Sequence, residues 1–283
     1  MPAVPATLAP EQIRAFEADG YVVLRGAFAR EDALAMQEEW WAELAELYGI
    51  ARDDPSTWMQ PARDLRAAKA SPSQSRMETP LMLGAIDDLL GAGNWRRPRD
   101  WGRAITTFPN GHLKDWTVPT ELWHSDHPRN WHAERLNGLL VVTFFGVVEP
   151  MGGGTLILSG SPRLLQRQFE SLPAGAGAED GIRQRERFHR SHPWLRRLTG
   201  HDPSPPDRVA AFMTTATEVD GVPLRVVELT GEPGDAVLCH PLMMHAVSRN
   251  CRTTPRFMRI KQQLMTHELQ AHIGQLARAA SRR

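Results

Sequence analysis

The sequence predicts a mainly β chain with helical additions, a sandwich or barrel behind an N-terminal helical layer. Three observations predict it. Short runs rich in β-branched and aromatic residues follow one another from Ala104 to Met265, separated by Gly- and Pro-bearing turns. The helical periodicities come mostly before them. No internal repeat and no linker divides the 283 residues, a normal length for one β domain with helical additions.

The elements follow in order. Residues 1–9 read as a loose tail. Pro10-Glu11-Gln12 opens a helix whose apolar side is Ile13 and Phe16, and Gly20 ends it. Tyr21 to Leu24 is an outer strand. Arg30 to Gly49 is a helix, with Leu34, Trp41, Leu44 and Tyr48 at helical spacing. Residues 51–76 read as loop, Pro80 to Leu90 as a helix, and Trp95 to Gly102 as a basic loop. Strands are expected at Ala104 to Phe108, through Thr117 to Asp126, at Asn137 to Val148, and at Thr155 to Leu158 after the Gly152-Gly153-Gly154 turn. The Asn137 to Val148 run is apolar throughout, as in a strand buried on both faces. Residues 163–210 read as an Arg-rich insertion. Leu224 to Leu229, Ala236 to His240, Met244 to Ser248 and Arg256 to Met265 complete the strands, and Glu268 to Ala280 closes the chain as a helix. The single domain 1–283 thus divides into a helical layer over 1–102, a β core over 103–265 and a C-terminal helix over 266–283.

Lys plus Arg and Asp plus Glu are 33 each, so no global charge draws the chain to nucleic acid or an anionic membrane. Cys239 and Cys251 form no zinc-type spacing and suit a reducing compartment. The longest apolar run is too short to span a bilayer. The opening Met1-Pro2-Ala3-Val4-Pro5 has no basic segment followed by an apolar one. The cytoplasm is the expected location.

The chemistry concentrates at Leu122-Trp123-His124-Ser125-Asp126-His127-Pro128. On a strand, His124 and Asp126 share a face, so an imidazole and a carboxylate converge. His245, flanked by turn signals, is the best third ligand, and His240 is its rival. Two histidines and one carboxylate around an open metal face are the arrangement of non-heme Fe(II) oxygenases. Arg256 follows His245 by eleven positions and opens an alternating strand. It shares a face with Met258, Ile260 and Gln262, while Phe257, Arg259 and Lys261 take the other. A guanidinium buried there needs an anionic partner, which a dicarboxylate cosubstrate would provide.

These pieces together resemble the phytanoyl-CoA dioxygenase family of Fe(II)- and 2-oxoglutarate-dependent oxygenases. The resemblance runs through Gly20-Tyr21-Val22-Val23-Leu24, His124-Ser125-Asp126, the stretch from Gly153 to Ser161, Gly234-Asp235, His245, Asn250 and Arg256, in the family's order over nearly the whole chain. It implies a double-stranded β-helix core of the jelly-roll, cupin-like kind. It implies Fe(II) on His124, Asp126 and His245, 2-oxoglutarate on Arg256, and O2 as oxidant. Related halogenases lack the carboxylate, so Asp126 favours hydroxylation or another oxidation. Two positions depart from the pattern. Pro162 stands where members often carry His, and Arg252 where many carry Ser or Thr two places after the Asn. Thr143 and Thr107 are therefore the candidates for a further contact to 2-oxoglutarate.

Trp123, His127 and Trp131, adjacent to the ligands, are the candidates for touching a small-molecule substrate. The arginines between Arg183 and His201 read as a solvated helix face, with contact to an anionic substrate as the alternative. Against the oxygenase stand another metal-dependent cupin-type enzyme and a barrel that binds a ligand without catalysis. The identity of the substrate and the oligomeric state are not written in the sequence.

Overall fold

The computed structural model describes residues 6–58, 65–126, 136–171 and 181–271. Helix α1 spans Pro10–Asp19, with Pro10 at its first position and the Gln12 side chain accepting from Ala9 N at 2.9 Å. Gly20 closes it with φ 84°. Strand β1 is Tyr21–Leu24 and helix α2 is Arg30–Tyr48. Residues 51–76 are not simple loop, because they contain 3-10 turns and helix α3, Arg66–Ala70. Helix α4, Pro80–Leu90, is capped by the Thr79 hydroxyl on Met82 N.

The strands of the core are β2 (Arg103–Thr107), β3 (Gly138–Phe144), β4 (Leu156–Ser159), β5 (Thr217–Val219), β6 (Val222–Glu228), β7 (Ala236–Cys239), β8 (His245–Ala246) and β9 (Arg256–Met265). Strand β5 was not expected. The insertion after β4 is helical, comprising α5 (Ser161–Glu170), α6 (Gly181–Arg190) and α7 (Pro193–Leu198), and a π-turn at Ala210–Thr214 follows. At the C-terminal end, residues 267–271 are helical, and the remainder of the expected helix lies outside the described residues.

One correction concerns the site directly. Residues 117–126 do not form a strand: His124 pairs with His245 through a single antiparallel bridge. Just before it, Leu122 takes φ 63°, which no strand residue adopts. The bridge alone carries the register, with His124 N donating to His245 O at 2.9 Å and His245 N to His124 O at 2.8 Å.

Two antiparallel sheets face each other, ordered β1-β7-β3-β9-β2 and β5-β6-β4-β8. Three apolar clusters define the layers. Leu140, Val142, Phe144, Ile157, Val237 and Met258 pack between the sheets. Leu139, Val141, Leu238 and Phe257 pack outward against α1 to α4, through Phe16, Trp40, Leu44 and Ile86. Leu156, Leu158, Leu224 and Val226 pack outward against α5 to α7, through Leu165, Phe188 and Leu195. The order is therefore helices, sheet, sheet, helices. Strand β3 is buried along its whole length because both its faces lie inside this stack.

Two motifs read in the sequence serve turns. Asp235 accepts from Gly26 N at 2.9 Å and Glu232 N at 3.0 Å, locking β7 to the end of β1. Asn250, fully buried, donates to Thr107 O at 3.0 Å and Thr254 O at 2.9 Å and accepts from Arg252 N at 3.0 Å. It fastens the turn between β8 and β9 onto β2.

Candidate metal centre

His245 lies in register with Ile157, so its side chain shares the face of β4 that looks between the sheets. The bridge to His245 brings His124 beside it, and the two rings stand 4.3 Å apart by centroid. Asp126 completes the group: its Oδ2 is 3.3 Å from His245 Nε2 and its Oδ1 3.7 Å from His124 Nε2. The His124 side chain is 37% exposed and that of His245 only 8%.

The protonation pattern of these rings follows from their partners. His124 Nδ1 lies 2.7 Å from Leu122 O and His245 Nδ1 3.0 Å from Met243 O. A carbonyl oxygen can only accept, so each Nδ1 carries the proton and each neutral ring presents an Nε2 lone pair. Those lone pairs look at a carboxylate whose Oδ2 is buried and, among the described residues, has no hydrogen-bond partner. Three acceptors with no donor among them repel, and a cation in their midst resolves the conflict. Ligands about 2.1 Å from a metal on one octahedral face lie about 3 Å apart, close to the spacing present. The donor set therefore fits a divalent metal. Burial and the neighbouring His245 hold the His124 pKa down, which keeps its lone pair available. Burial pushes the Asp126 carboxyl up, but the facing His245 and His124 rings and the hydrogen bond from Gln262 outweigh it and leave its pKa lowered.

Sequence reasoning missed two residues here. Gln262 Nε2 donates to Asp126 Oδ1 at 3.0 Å, and Gln263 Nε2 donates to the Asp126 carbonyl at 2.7 Å. They fix a carboxylate that no strand holds. Alternation along β9 did put Gln262 on the Arg256 face, and that was its only signal.

His240 is placed elsewhere. Its Nδ1 accepts from Leu242 N at 3.0 Å, the reverse of the pattern in His124 and His245, and its ring packs near Phe16. Burial takes its pKa down to about 4.

Arg256 is 2% exposed. One terminal nitrogen donates to Gly153 O and the other to Thr107 Oγ1 at 2.6 Å, while Nε has no hydrogen-bond partner among the described residues. Gly153 sits at φ 80° with Asn250 3.0 Å from where a Cβ would stand, so the carbonyl that receives the guanidinium rests on a position only glycine fills easily. Burial lowers the Arg256 pKa to about 10, against the opposing pull of the Glu228 carboxylate. Glu228 is itself tied to Met151 N at 2.7 Å and Gly154 N at 3.1 Å.

The remaining expected site residues separate. Thr107 pairs with Arg256 in register and holds its guanidinium. Thr143 is a correction. It shares its face of β3 with Val141 and Phe145, towards the helices, and pairs with Arg259. That face is opposite to the one carrying Arg256 and Met258. Trp123 is a second correction: it is 2% exposed, packs with the helices of the insertion, and donates to Pro119 O at 2.9 Å, so it does not line the site. His127 and Trp131 lie outside the described residues. The arginines at 183, 185, 187, 190, 196 and 197 are all exposed, as a solvated face requires.

No protein-family model and no curated protein matches the sequence. Solved structures do. HygX from Streptomyces hygroscopicus, with nickel and 2-oxoglutarate bound, superposes with a TM-score of 0.52 at 15% identity, covering 89% of this chain and 85% of that one. The non-heme alpha ketoglutarate dependent carbocyclase SnoK from nogalamycin biosynthesis gives 0.50 at 14% identity, covering 91% and 85%. EctD from S. alaskensis with bound Fe gives 0.50 at 19% identity, covering 91% and 78%. At these identities the likeness is one of fold.

Among the described residues, no helix is long and apolar enough to cross a membrane.

Proposed function

We propose that this chain is an Fe(II)- and 2-oxoglutarate-dependent oxygenase that hydroxylates or otherwise oxidises an unactivated C–H bond of a small molecule, releasing succinate and CO2. The reading carries with it a double-stranded β-helix core and kinship with phytanoyl-CoA dioxygenases. The observation that bears most weight is the trio of mutually facing acceptors, His124 Nε2, His245 Nε2 and an Asp126 oxygen without a hydrogen-bond partner among the described residues. The fold shared with HygX, which binds nickel and 2-oxoglutarate, with SnoK and with iron-bound EctD supports it.

His124, Asp126 and His245 would hold Fe(II), and the Leu122 and Met243 carbonyls would keep both imidazoles in the ligating tautomer. Arg256 would take the far carboxylate of 2-oxoglutarate through the N–H groups that Gly153 and Thr107 leave free. Thr107 positions that fork. When bound, iron and 2-oxoglutarate supply the oxidising power with O2, and the chain supplies ligand geometry and the placing of the substrate. The carboxylate of Asp126 occupies the position that a halide would need, which favours oxygenation over halogenation.

The test is direct. Purified protein should release succinate from 2-oxoglutarate only when Fe(II), ascorbate and O2 are present, and Asp126→Ala should abolish the release. Under anaerobic calorimetry, metal-loaded protein should bind 2-oxoglutarate and metal-free protein should not. Failure of the metal-loaded protein to bind it would return the chain to the other cupin-type readings.

A further inference from the structure

Outside the site just described, a second group of ligating side chains stands in the helical insertion. Glu186 and His189 lie on α6, and His201 lies in the turn after α7. One atom from each falls within 4.8 Å of the others.

Partners fix the tautomers here too. His189 makes a hydrogen bond with the backbone of Trp123. Among the described residues its Nε2 has no hydrogen-bond partner, so the bond runs from Nδ1–H to the Trp123 carbonyl. His189 is only 7% exposed, so this unpartnered Nε2 lone pair is enclosed within the cluster. His201 Nδ1 is 2.9 Å from Thr199 Oγ1, and that hydroxyl spends its own proton on Leu195 O at 2.8 Å. Thr199 therefore accepts, His201 Nδ1 donates, and His201 Nε2 is a lone pair too. It lies 3.1 Å and 3.2 Å from the two Glu186 oxygens. The two rings are 5.7 Å apart by centroid. The result is again two imidazole lone pairs and a carboxylate with no proton between them.

From this geometry we infer a second divalent-metal site, built by Glu186, His189 and His201, which takes a zinc-like ion with water completing a tetrahedron. The Glu186–His201 separation already matches the edge of a tetrahedron around zinc, about 3.3 Å for bonds near 2.0 Å. Imidazole and carboxylate together suit Zn2+ and its first-row neighbours. Arg190 Nε donates to Glu186 Oε1, which leaves Oε2, 3.2 Å from His201 Nε2, for the ion. The competing arrangement is a His201 whose Nε2–H donates to Glu186, either as the imidazolium or as the neutral ring with Nδ1 accepting from Thr199. It satisfies that pair, but leaves the buried His189 Nε2 with nothing to accept.

The site has a structural consequence. The ion would clamp α6 to the turn after α7. His189 Nδ1–H would then hold the Trp123 carbonyl, one residue before His124 and one after Leu122, whose carbonyl orients the His124 ring. In this role His189 is a positioning residue.

The experiment counts metal. Chelator-stripped protein is titrated with Co2+, followed by its visible absorption, and metal content is measured after desalting. Wild type should hold two equivalents. His124→Ala/His245→Ala should keep one, and His189→Gln/His201→Gln should also keep one. Glu186→Gln should weaken the second equivalent at least tenfold, and Arg190→Ala should leave it intact. Circular dichroism confirms that each variant folds. If His124→Ala/His245→Ala holds no Co2+ while wild type holds one equivalent, the trio is an ion pair and the inference is overturned. If that variant keeps one equivalent and wild type also holds only one, the second site stands and the oxygenase centre fails.

Discussion

Asp126 is the least supported of the three facing groups by backbone, since no strand runs through it and only side chains fix it. Gln262 reaches its Oδ1 from an exposed position on β9. Side chains that orient a ligand commonly carry 10- to 100-fold in metal affinity. Gln262→Leu is therefore expected to weaken Fe(II) or Co2+ binding about tenfold, read by competition with a chromophoric chelator. Its thermal midpoint should not move, because an exposed amide contributes little to folding. A loss of stability without a loss of affinity would assign Gln262 to the fold instead. Leu122 invites a second test. At φ 63° it sits where a β-branched residue is strained most. Leu122→Val is expected to cost about 1 kcal/mol or more and to weaken metal binding through the carbonyl that orients His124. Leu122→Gly should leave both nearly unchanged. His124, Asp126 and His245 were legible as candidates because they stand in the order and at the approximate spacing of the family the chain resembles; the His-x-Asp pair alone is a weak signal. The glutamines were not, since an amide on an alternating strand looks like any solvated side chain until its partner is placed.

Strand β9 works on both faces, with a buried arginine on each. Arg256 looks between the sheets. Arg259 looks at the helices, donating to Gly102 O and Ala68 O at 2.8 Å each and lying over Trp40 and Phe145. Their substitutions should separate cleanly. Arg256→Ala is expected to raise the KM for 2-oxoglutarate at least tenfold with a smaller effect on stability. Arg259→Ala is expected to lower stability by roughly 3 kcal/mol, read by urea unfolding, and to leave that KM within about twofold. The reverse pattern would exchange their roles. Alternation made this division readable in β9, where Arg256 and Arg259 stand an odd number of positions apart and so fall on opposite faces. It was unreadable in β3, which is buried on both faces and gives no pattern to set the parity of Thr143. Trp123 shows the same limit from another side. Neighbours along an extended segment point to opposite faces, so the residue beside a ligand turns away from the site.

At the scale of the whole molecule, the stacking of helices, sheet, sheet and helices decides which titratable groups are shut away. His240, half-buried beside a cavity, is one case. It sits at the junction of α1, β7 and the start of α5, near Phe16 and Pro162, with its backbone N on Gly20 O at 2.7 Å. Burial depresses its pKa to about 4, against about 6.5 in an unfolded chain. Between those values the unfolded state binds the proton and the folded state does not. Stability must therefore fall as pH drops from 6.5 towards 4, and this group adds no further loss below that. A depression of this size corresponds to roughly 3 kcal/mol, present in full above pH 6.5. Urea midpoints of the metal-free protein should decline across this window. In His240→Gln, whose side-chain oxygen can still accept from Leu242 N, the decline should be markedly shallower. Equal slopes in the two proteins would mean that the packing between the N-terminal layer and the sheet admits the proton, and that this junction is looser than the stacked core around it. A shallower slope would instead make the junction a closed part of the core, joined to the metal centre through the chain from His240 to His245.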